Sequence, residues 1–315
     1  MRSSQLIIFE GPDGGGKTTA MDTAAKQISD QVITEHHGPY PEVTKGLALI
    51  YADSMVKATQ GRQVTLLDRS WLSEVPYGKA FRDGLDRLGE IHRRHLERLA
   101  WRCGAVIMLC LPPWRVVRDN YLKRQNLEYL ENEDQLRLVY NEYEELWKHT
   151  SLPIIRYDYT RHDLQKKLDL VFQMKVTHHR TEVHSAGNLN APILLVGDTF
   201  GAMKPGDCEY QWPFGSLVDV GCSSWMTYKL IEGGIPENEL CWVNADELTS
   251  QQVDADLLHG KKVIALGTNA DLKLVMMGVD HQTVAHPQFH KRFEHDKPYA
   301  LIALIQDILK QEVLR

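Results

Sequence analysis

Cysteine is sparse and scattered in this chain. Cys103, Cys110, Cys208, Cys222 and Cys241 are the only five in 315 residues, and no two form a Cys-x-x-Cys pair. An odd, dispersed set offers neither a disulfide framework nor the clustered ligands of a zinc or iron–sulfur centre, so reduced thiols are expected. No run approaches eighteen apolar residues, which leaves no candidate membrane-spanning helix. Met1-Arg2-Ser3-Ser4 leads directly into an apolar strand, and a cytoplasmic protein is expected. There is no basic excess either: 36 Lys and Arg stand against 42 Asp and Glu, a net charge of −6. Any binding of nucleic acid would therefore need a local basic patch, because the overall field repels phosphate. The pairs His36-His37 and His178-His179 diverge on helix or strand alike, so hydrogen-bonding or solvated histidines are expected there. A hydrophobic content of 43% with 25% charged residues fits a globular chain, and the length accommodates two domains.

Within that ordinary composition one stretch is unusual. Leu6-Ile7-Ile8-Phe9 reads as a buried strand ending at Glu10, and Gly11-Pro12-Asp13-Gly14-Gly15-Gly16-Lys17-Thr18 fits G-x-x-x-x-G-K-[ST] without a mismatch. Glycines are needed where successive backbone N–H groups must turn inward on one anion. Lys17 suits the β- and γ-phosphates as a point charge, Thr18 can place a hydroxyl on Mg²⁺, and Thr19 opens a helix whose positive end faces the phosphates. ATP and Mg²⁺ are the expected ligands.

The strand Gln63–Leu67 ends at Asp68-Arg69-Ser70. A carboxylate at a strand tip can hold the metal ion or take a proton from an attacking hydroxyl, and Arg69 can pair with phosphate oxygens. The same three residues also suit a helix cap. Glu10 and Asp13 are further acids expected at this cleft, so the base stays open among Glu10, Asp13 and Asp68. Between the two motifs, His36-His37-Gly38-Pro39-Tyr40-Pro41 breaks regular structure and is expected beside the phosphate loop. The amphipathic helix 88–102 carries Arg93, Arg94, Arg98 and Arg102, which suit a solvated face or a polynucleotide-facing stripe. Beyond the strand 105–111, Arg115, Arg118, Lys123 and Arg124 suit a lid that closes donors over a transferring phosphoryl group, with a helix following over 134–148.

Residues 176–190 are polar and lack an apolar period, which reads as a linker between a domain over 1–175 and another over 191–315. The second half alternates strands near 193–196, 240–244, 262–266 and 283–285 with helices near 225–232, 269–277 and 298–314. That alternation implies a second α/β domain with a parallel sheet and a site at its strand ends.

Phe9-Glu10-Gly11-Pro12-Asp13-Gly14-Gly15-Gly16-Lys17-Thr18-Thr19 resembles the opening of thymidylate kinases. Asp68-Arg69-Ser70, with Ser73 and Tyr77, is similar to the aspartate–arginine motif of those enzymes and of deoxynucleoside kinases. The run from Arg115 to Trp147 is similar to their arginine-bearing lid, with Arg118 and Arg124 in catalytic roles. The resemblance covers about the first 170 residues and implies an α/β P-loop kinase: a parallel sheet with flanking helices. Thymidylate kinases carry Arg-Glu-Pro-Gly-Gly after the second strand to help hold the acceptor's phosphate. His36-His37-Gly38-Pro39-Tyr40-Pro41 stands there instead, which points away from a free nucleoside monophosphate as acceptor.

In the second half, Gly197-Asp198-Thr199-Phe200-Gly201, Pro213-Phe214-Gly215, Trp242-Val243-Asn244, Ala265-Leu266-Gly267 and His286-Pro287 occur in an order that resembles the uracil-DNA glycosylase superfamily. The resemblance implies Asp198 as a water-activating acid, Phe214 and Asn244 as a base pocket, and His286 at a flipped nucleotide. The continuation Gln288-Phe289-His290-Lys291-Arg292-Phe293 departs from that family. Its mixture of cations and aromatics suits a stacked base and its phosphates, with Lys291 and Arg292 as candidates, and suits a helix-capping surface loop equally. A kinase joined to a base-flipping type of domain resembles phage 5-hydroxymethyluracil DNA kinases. That implies DNA containing a modified pyrimidine as partner, in the cytoplasm of an infected bacterium. A free deoxynucleotide kinase and a nucleotide-gated DNA-binding protein are the alternatives.

Overall fold

A computed structural model of the chain describes residues 5–28, 32–38, 40, 46–60, 63–124, 132–174, 185–199, 214, 221–248 and 257–313. Contacts divide the chain into two units, one of residues 1–93 and 103–176, the other of residues 94–102 and 177–315.

In the first unit β1 (Gln5–Glu10) leads into α1 (Lys17–Gln27), followed by β2 (Val32–His36), α2 (Leu47–Gln60) and β3 (Val64–Asp68). Then come α3 (Glu74–Phe81), α4 (Gly89–Arg102), β4 (Val106–Cys110), α5 (Trp114–Arg124), α6 (Glu133–Glu144), β5 (Ile154–Tyr157) and α7 (Leu164–Gln173). The sheet order is β2-β3-β1-β4-β5, and every pairing is parallel. Leu6, Ile7, Ile8 and Phe9 are all fully buried, as a parallel strand covered on both faces requires. Ile7 and Phe9 pack with Ala20, Met21 and Ala24 of α1 and with Leu168 and Val171 of α7. The order reverses at β1, which has β3 on one side and β4 on the other. The glycine loop therefore opens at the topological switch point, where open α/β sheets leave a crevice.

The second unit contains β6 (Ser185–Gly187), β7 (Ile193–Gly197), α8 (Cys222–Glu232), β8 (Leu240–Asn244), β9 (Lys262–Leu266), α9 (Thr268–Met276), β10 (Gln282–Val284), α10 (Pro287–Phe293) and α11 (Ala300–Val313). Its sheet runs β10-β9-β7-β8-β6. The sheet is mixed and not wholly parallel, because β6 pairs antiparallel with β8 at the edge. That strand lies inside the stretch expected to be a linker. Ser-Ala-Gly lacks an apolar period, yet all three residues are buried against β8. His178, His179, Arg180 and His184 of the same stretch lie outside the described residues.

Arg94–Arg102 of α4 groups with this second unit, and its arginines are not a solvated stripe. Arg98 is fully buried, with its Nε donating to Glu237 Oε1 at 2.5 Å and its guanidinium 4.1 Å from the centre of the Trp242 ring. Arg94 donates to the Ile235 carbonyl. Helical periodicity records only that these residues share a face; the carboxylate that neutralises Arg98 lies 139 positions away. Among the described residues, Cys103, Cys110, Cys222 and Cys241 form no disulfide, and no helix is long and apolar enough to cross a membrane.

Candidate active site

The glycine loop starts where β1 ends. Gly14 has φ +75°, and an added Cβ would sit 2.8 Å from the Val117 carbonyl, so neither the backbone angle nor the space admits a side chain. Gly16 caps α1 in a left-handed conformation, and Gly11 and Gly15 run against the Cys110 carbonyl. Lys17, Thr18 and Thr19 form the first turn of α1 and line a cleft of about 660 Å³ with Asp13, Gly14 and Gly16. Lys17 folds back to donate to the Pro12 carbonyl at 2.9 Å. Burial first, and the nearby Arg69 second, push its ammonium below the ordinary lysine value. A polyanion in the cleft would oppose that, because it adds negative charge to what Asp13 and Asp68 already place beside Lys17.

From β3, Asp68 and Arg69 reach the same cleft. Asp68 Oδ2 accepts from Thr18 Oγ1 at 2.5 Å and lies 3.2 Å from His36 Nδ1, while Oδ1 is buried without a hydrogen-bond partner. Arg69 is a non-glycine residue at φ +73°, a strained position. Its guanidinium pairs with Asp13 inside the loop and lies 4.7 Å from the centre of the Tyr77 ring. Burial would raise the Asp13 carboxyl, but Arg69 and then Lys17 outweigh it and hold the group below the ordinary aspartate value. Ser70 caps the short helical turn Trp71–Ser73 through Leu72 N, while Asp68 and Arg69 line the cleft.

Glu10 is placed otherwise than the two aspartates. It is fully buried and accepts from Ser70 Oγ at 2.6 Å, Ser73 Oγ at 2.8 Å and Tyr143 OH at 2.9 Å. Burial, only partly offset by these donors, raises its carboxyl above the ordinary glutamate value. It fastens β1 to α6 beneath the cleft, whose lining is drawn from other residues. Arg124 and Lys123 line the cleft; Arg118 is instead paired with Glu133 at 2.7 Å on the surface. Residues 125–131, between Arg124 and α6, lie outside the described residues.

Asn120 and Tyr159, which no sequence motif marks, also line the cleft. Asn120 Nδ2 donates to the Gly14 carbonyl at 2.9 Å and to Tyr159 OH at 2.7 Å, which braces the loop from α5. An asparagine in a helix carries no such signal by itself. His36, still the last residue of β2 and not part of the loop, lines the cleft with His37 and Gly38, while Pro39 and Pro41 lie outside the described residues. His37 is buried: its Nε2 lies 3.0 Å from Ser54 Oγ and its Nδ1 2.7 Å from Tyr40 OH.

In the second unit the strand ends gather Asp198, Asn244 and His286, with Phe214 alongside. Asp198 Oδ1 accepts from Ala270 N at 3.1 Å and Oδ2 from Asn269 Nδ2 at 3.5 Å, so this acid caps α9 from a neighbouring strand. His286 Nδ1 accepts from Gln288 N at 3.2 Å, which leaves its Nε2 3.9 Å from Asp198 Oδ2. Gly197 has no room for a side chain: a Cβ would come within 2.5 Å of the Phe214 ring and 2.7 Å of Asn244 Oδ1. Phe214, at φ +52°, packs 5.2 Å from Trp242 and accepts at its carbonyl from Arg98. Lys291 donates to the Gly221 carbonyl at 3.2 Å, and Arg292 is exposed. His290, between the aromatics of α10, is buried against Trp225 and Tyr299. Phe200, Pro213 and Gly215 lie outside the described residues.

Strand, glycine loop, helix and the acid–arginine pair on the neighbouring strand define the first unit as a P-loop α/β fold. No protein-family model matches the chain, and no curated protein matches it. Solved structures similar to it include the YorR protein of Bacillus subtilis in complex with phosphorylated GDP, at 23% identity and a TM-score of 0.41, over 56% of this chain and 98% of that one. They also include deoxyadenosine kinase from M. mycoides with bound dATP, at 15% identity and a TM-score of 0.36, over 53% of this chain and 97% of that one. The same enzyme with dCMP and dCDP is similar at 13% identity and a TM-score of 0.35, over 53% and 96%.

Proposed function

We propose that the chain is an ATP-dependent kinase that transfers the γ-phosphoryl group to the hydroxymethyl group of 5-hydroxymethyluracil in DNA. The observation that carries the phosphotransferase reading is the convergence of Lys17, Thr18, Asp68 and the Asp13-paired Arg69 on one cleft over the glycine loop. Backbone N–H groups of the loop and Lys17 bind the phosphates, and Arg69 stands ready to neutralise charge that spreads over phosphoryl oxygens. Thr18 and Asp68 would hold Mg²⁺, because Thr18 Oγ1 and Asp68 Oδ2 already lie 2.5 Å apart, and the second carboxylate oxygen, Oδ1, has no partner among the described residues. When bound, that ion supplies charge neutralisation to the phosphates.

Of the three candidate acids, Glu10 is sealed beneath the cleft and Asp13 is held by Arg69. Asp68 is left to receive the acceptor's proton. The acceptor oxygen bonds to the γ-phosphorus, the bond to the β–γ bridging oxygen breaks, and ADP departs.

Two observations support a base in DNA as acceptor. On the β2 side the cleft is lined by His36, His37 and Gly38, which present no arginine for an acceptor's phosphate. The second unit brings Asp198, Asn244, His286 and Phe214 together at its strand ends, the residue types that a base-reading site uses. The test is transfer of labelled γ-phosphate by the full chain, with Lys17→Ala beside it. The reading expects product with the wild type and a loss of about 100- to 1,000-fold in the variant. Nucleotide binding without product on any acceptor would leave the chain a nucleotide-gated protein instead.

A further inference from the structure

Parallel pairing of β2 with β3 sets His36 directly beside Asp68 at the ends of the two strands. One carboxylate oxygen, Asp68 Oδ2, then has two neighbours: Thr18 Oγ1 at 2.5 Å and His36 Nδ1 at 3.2 Å. Adjacent ligands of a six-coordinate cation at about 2.1 Å are about 3 Å apart, so Thr18 Oγ1 and His36 Nδ1 each stand near ligand spacing from Asp68 Oδ2. The His36 side chain is 53% exposed and lines the cleft, while Asp68 is almost wholly buried. A histidine needed only to orient Asp68 would be expected to share its burial.

We propose that His36 is a third protein donor of the divalent-cation site, beside Thr18 and Asp68, and that it tilts the site from Mg²⁺ toward Mn²⁺ or Co²⁺. The inference rests on the phosphotransferase reading, which requires a cation at Thr18 and Asp68. The chemistry is that of the ligand set. Hydroxyl and carboxylate oxygens suit Mg²⁺, whereas an imidazole nitrogen adds more affinity for later first-row cations than for magnesium. When the cation is bound, Nδ1 presents its lone pair to it, the imidazole carries its single proton on Nε2, and any proton displaced from Nδ1 passes to solvent.

The probe is Mn²⁺ with β,γ-methylene ATP, whose phosphate bridge contains no nitrogen, bound to the full chain and read by pulsed electron paramagnetic resonance. A nitrogen coupling of a directly bound imidazole is expected in the wild type and should vanish in His36→Gln. Titrations of the same variant should show Mn²⁺ affinity falling about 10-fold, with Mg²⁺ changing by no more than about 2-fold. Binding of Mn²⁺ and nucleotide without any nitrogen coupling would overturn the inference and leave the cation site of Thr18 and Asp68 standing. A coupling that persists in His36→Gln would overturn it as well. Failure of the wild type to bind Mn²⁺ with the nucleotide at all would remove both the inference and the phosphotransferase reading beneath it.

Discussion

Arg69 and Asp13 are ion-paired across the cleft, one from the end of β3 and the other from within the glycine loop, 56 positions apart. The pair ties the loop's conformation to the neighbouring strand and holds the guanidinium in the lining of the cleft. Arg69 takes a left-handed backbone angle to do so, a local cost that the buried pair and the Tyr77 ring offset.

Replacing Arg69 by Lys keeps the charge and removes the planar fork. The expected result is a fall in kcat of about 100-fold or more, with little change in the binding of ATP, which rests on the loop and Lys17. Steady-state kinetics and nucleotide titration of R69K separate the two effects. Equal losses in both would mean that Arg69 shapes the loop and does not act on the transferring group.

Glu10 gives a pH dependence whose sign follows from its burial. Its carboxyl is raised in the folded chain, so the folded state holds the proton more tightly than the unfolded state. The stability this contributes is fully present below the unfolded value near 4.5 and is lost as pH rises through the higher folded value. Glu10→Gln removes that titration. The melting temperature of the wild type relative to E10Q should therefore fall between pH 4.5 and neutrality, while transfer activity stays within about threefold at neutral pH, because Glu10 faces hydroxyls and not the cleft. A difference that is flat with pH would show that Glu10 is charged throughout.

The loop-and-strand skeleton of this site was legible in the sequence because its chemistry is local. Gly11 to Thr18 specify their own backbone, and Asp68-Arg69 ends an apolar strand that can go only into a sheet. Relationships between distant positions were not legible. Glu10 and Asp68 both end apolar strands, yet one is fastened by Ser70, Ser73 and Tyr143 and the other lines the cleft. Nothing in either segment says which. Ser185–Gly187 reads as linker because it lacks apolar side chains, and it is a strand because β8 offers an edge. Arg98 reads as surface because a lone arginine is soluble, until Glu237 appears opposite it.

That buried pair sets a stability test in the second unit. Arg98 and Glu237 are both inaccessible to solvent, and Glu237 also accepts from Trp242 Nε1 at 2.9 Å. Arg98→Ala leaves a buried carboxylate without its cation and should cost about 3–5 kcal/mol. The double change Arg98→Met with Glu237→Leu removes both charges and should recover most of that loss. Chemical denaturation of the full chain reads both. A single variant as stable as the wild type would mean that water reaches the pair.

Asp198 caps α9 and stands 3.9 Å from His286, so its two oxygens do different things. Asp198→Asn keeps an acceptor for Ala270 N and removes the charge facing His286. Transfer to a DNA acceptor should drop about 10-fold or more, with ATP binding unchanged and the melting temperature within a few degrees of the wild type. Unaltered transfer to DNA would separate this strand-end cluster from the substrate site.

The most direct test offers labelled ATP to the full chain with three acceptors in parallel: free pyrimidine deoxynucleotides, unmodified DNA, and DNA containing 5-hydroxymethyluracil. Label confined to the hydroxymethylated DNA is the expected result, and it should disappear with Lys17→Ala. Label in a free mononucleotide would contradict the DNA acceptor and make the chain a deoxynucleotide kinase. Label in none of the three, with ATP bound, would contradict phosphoryl transfer itself.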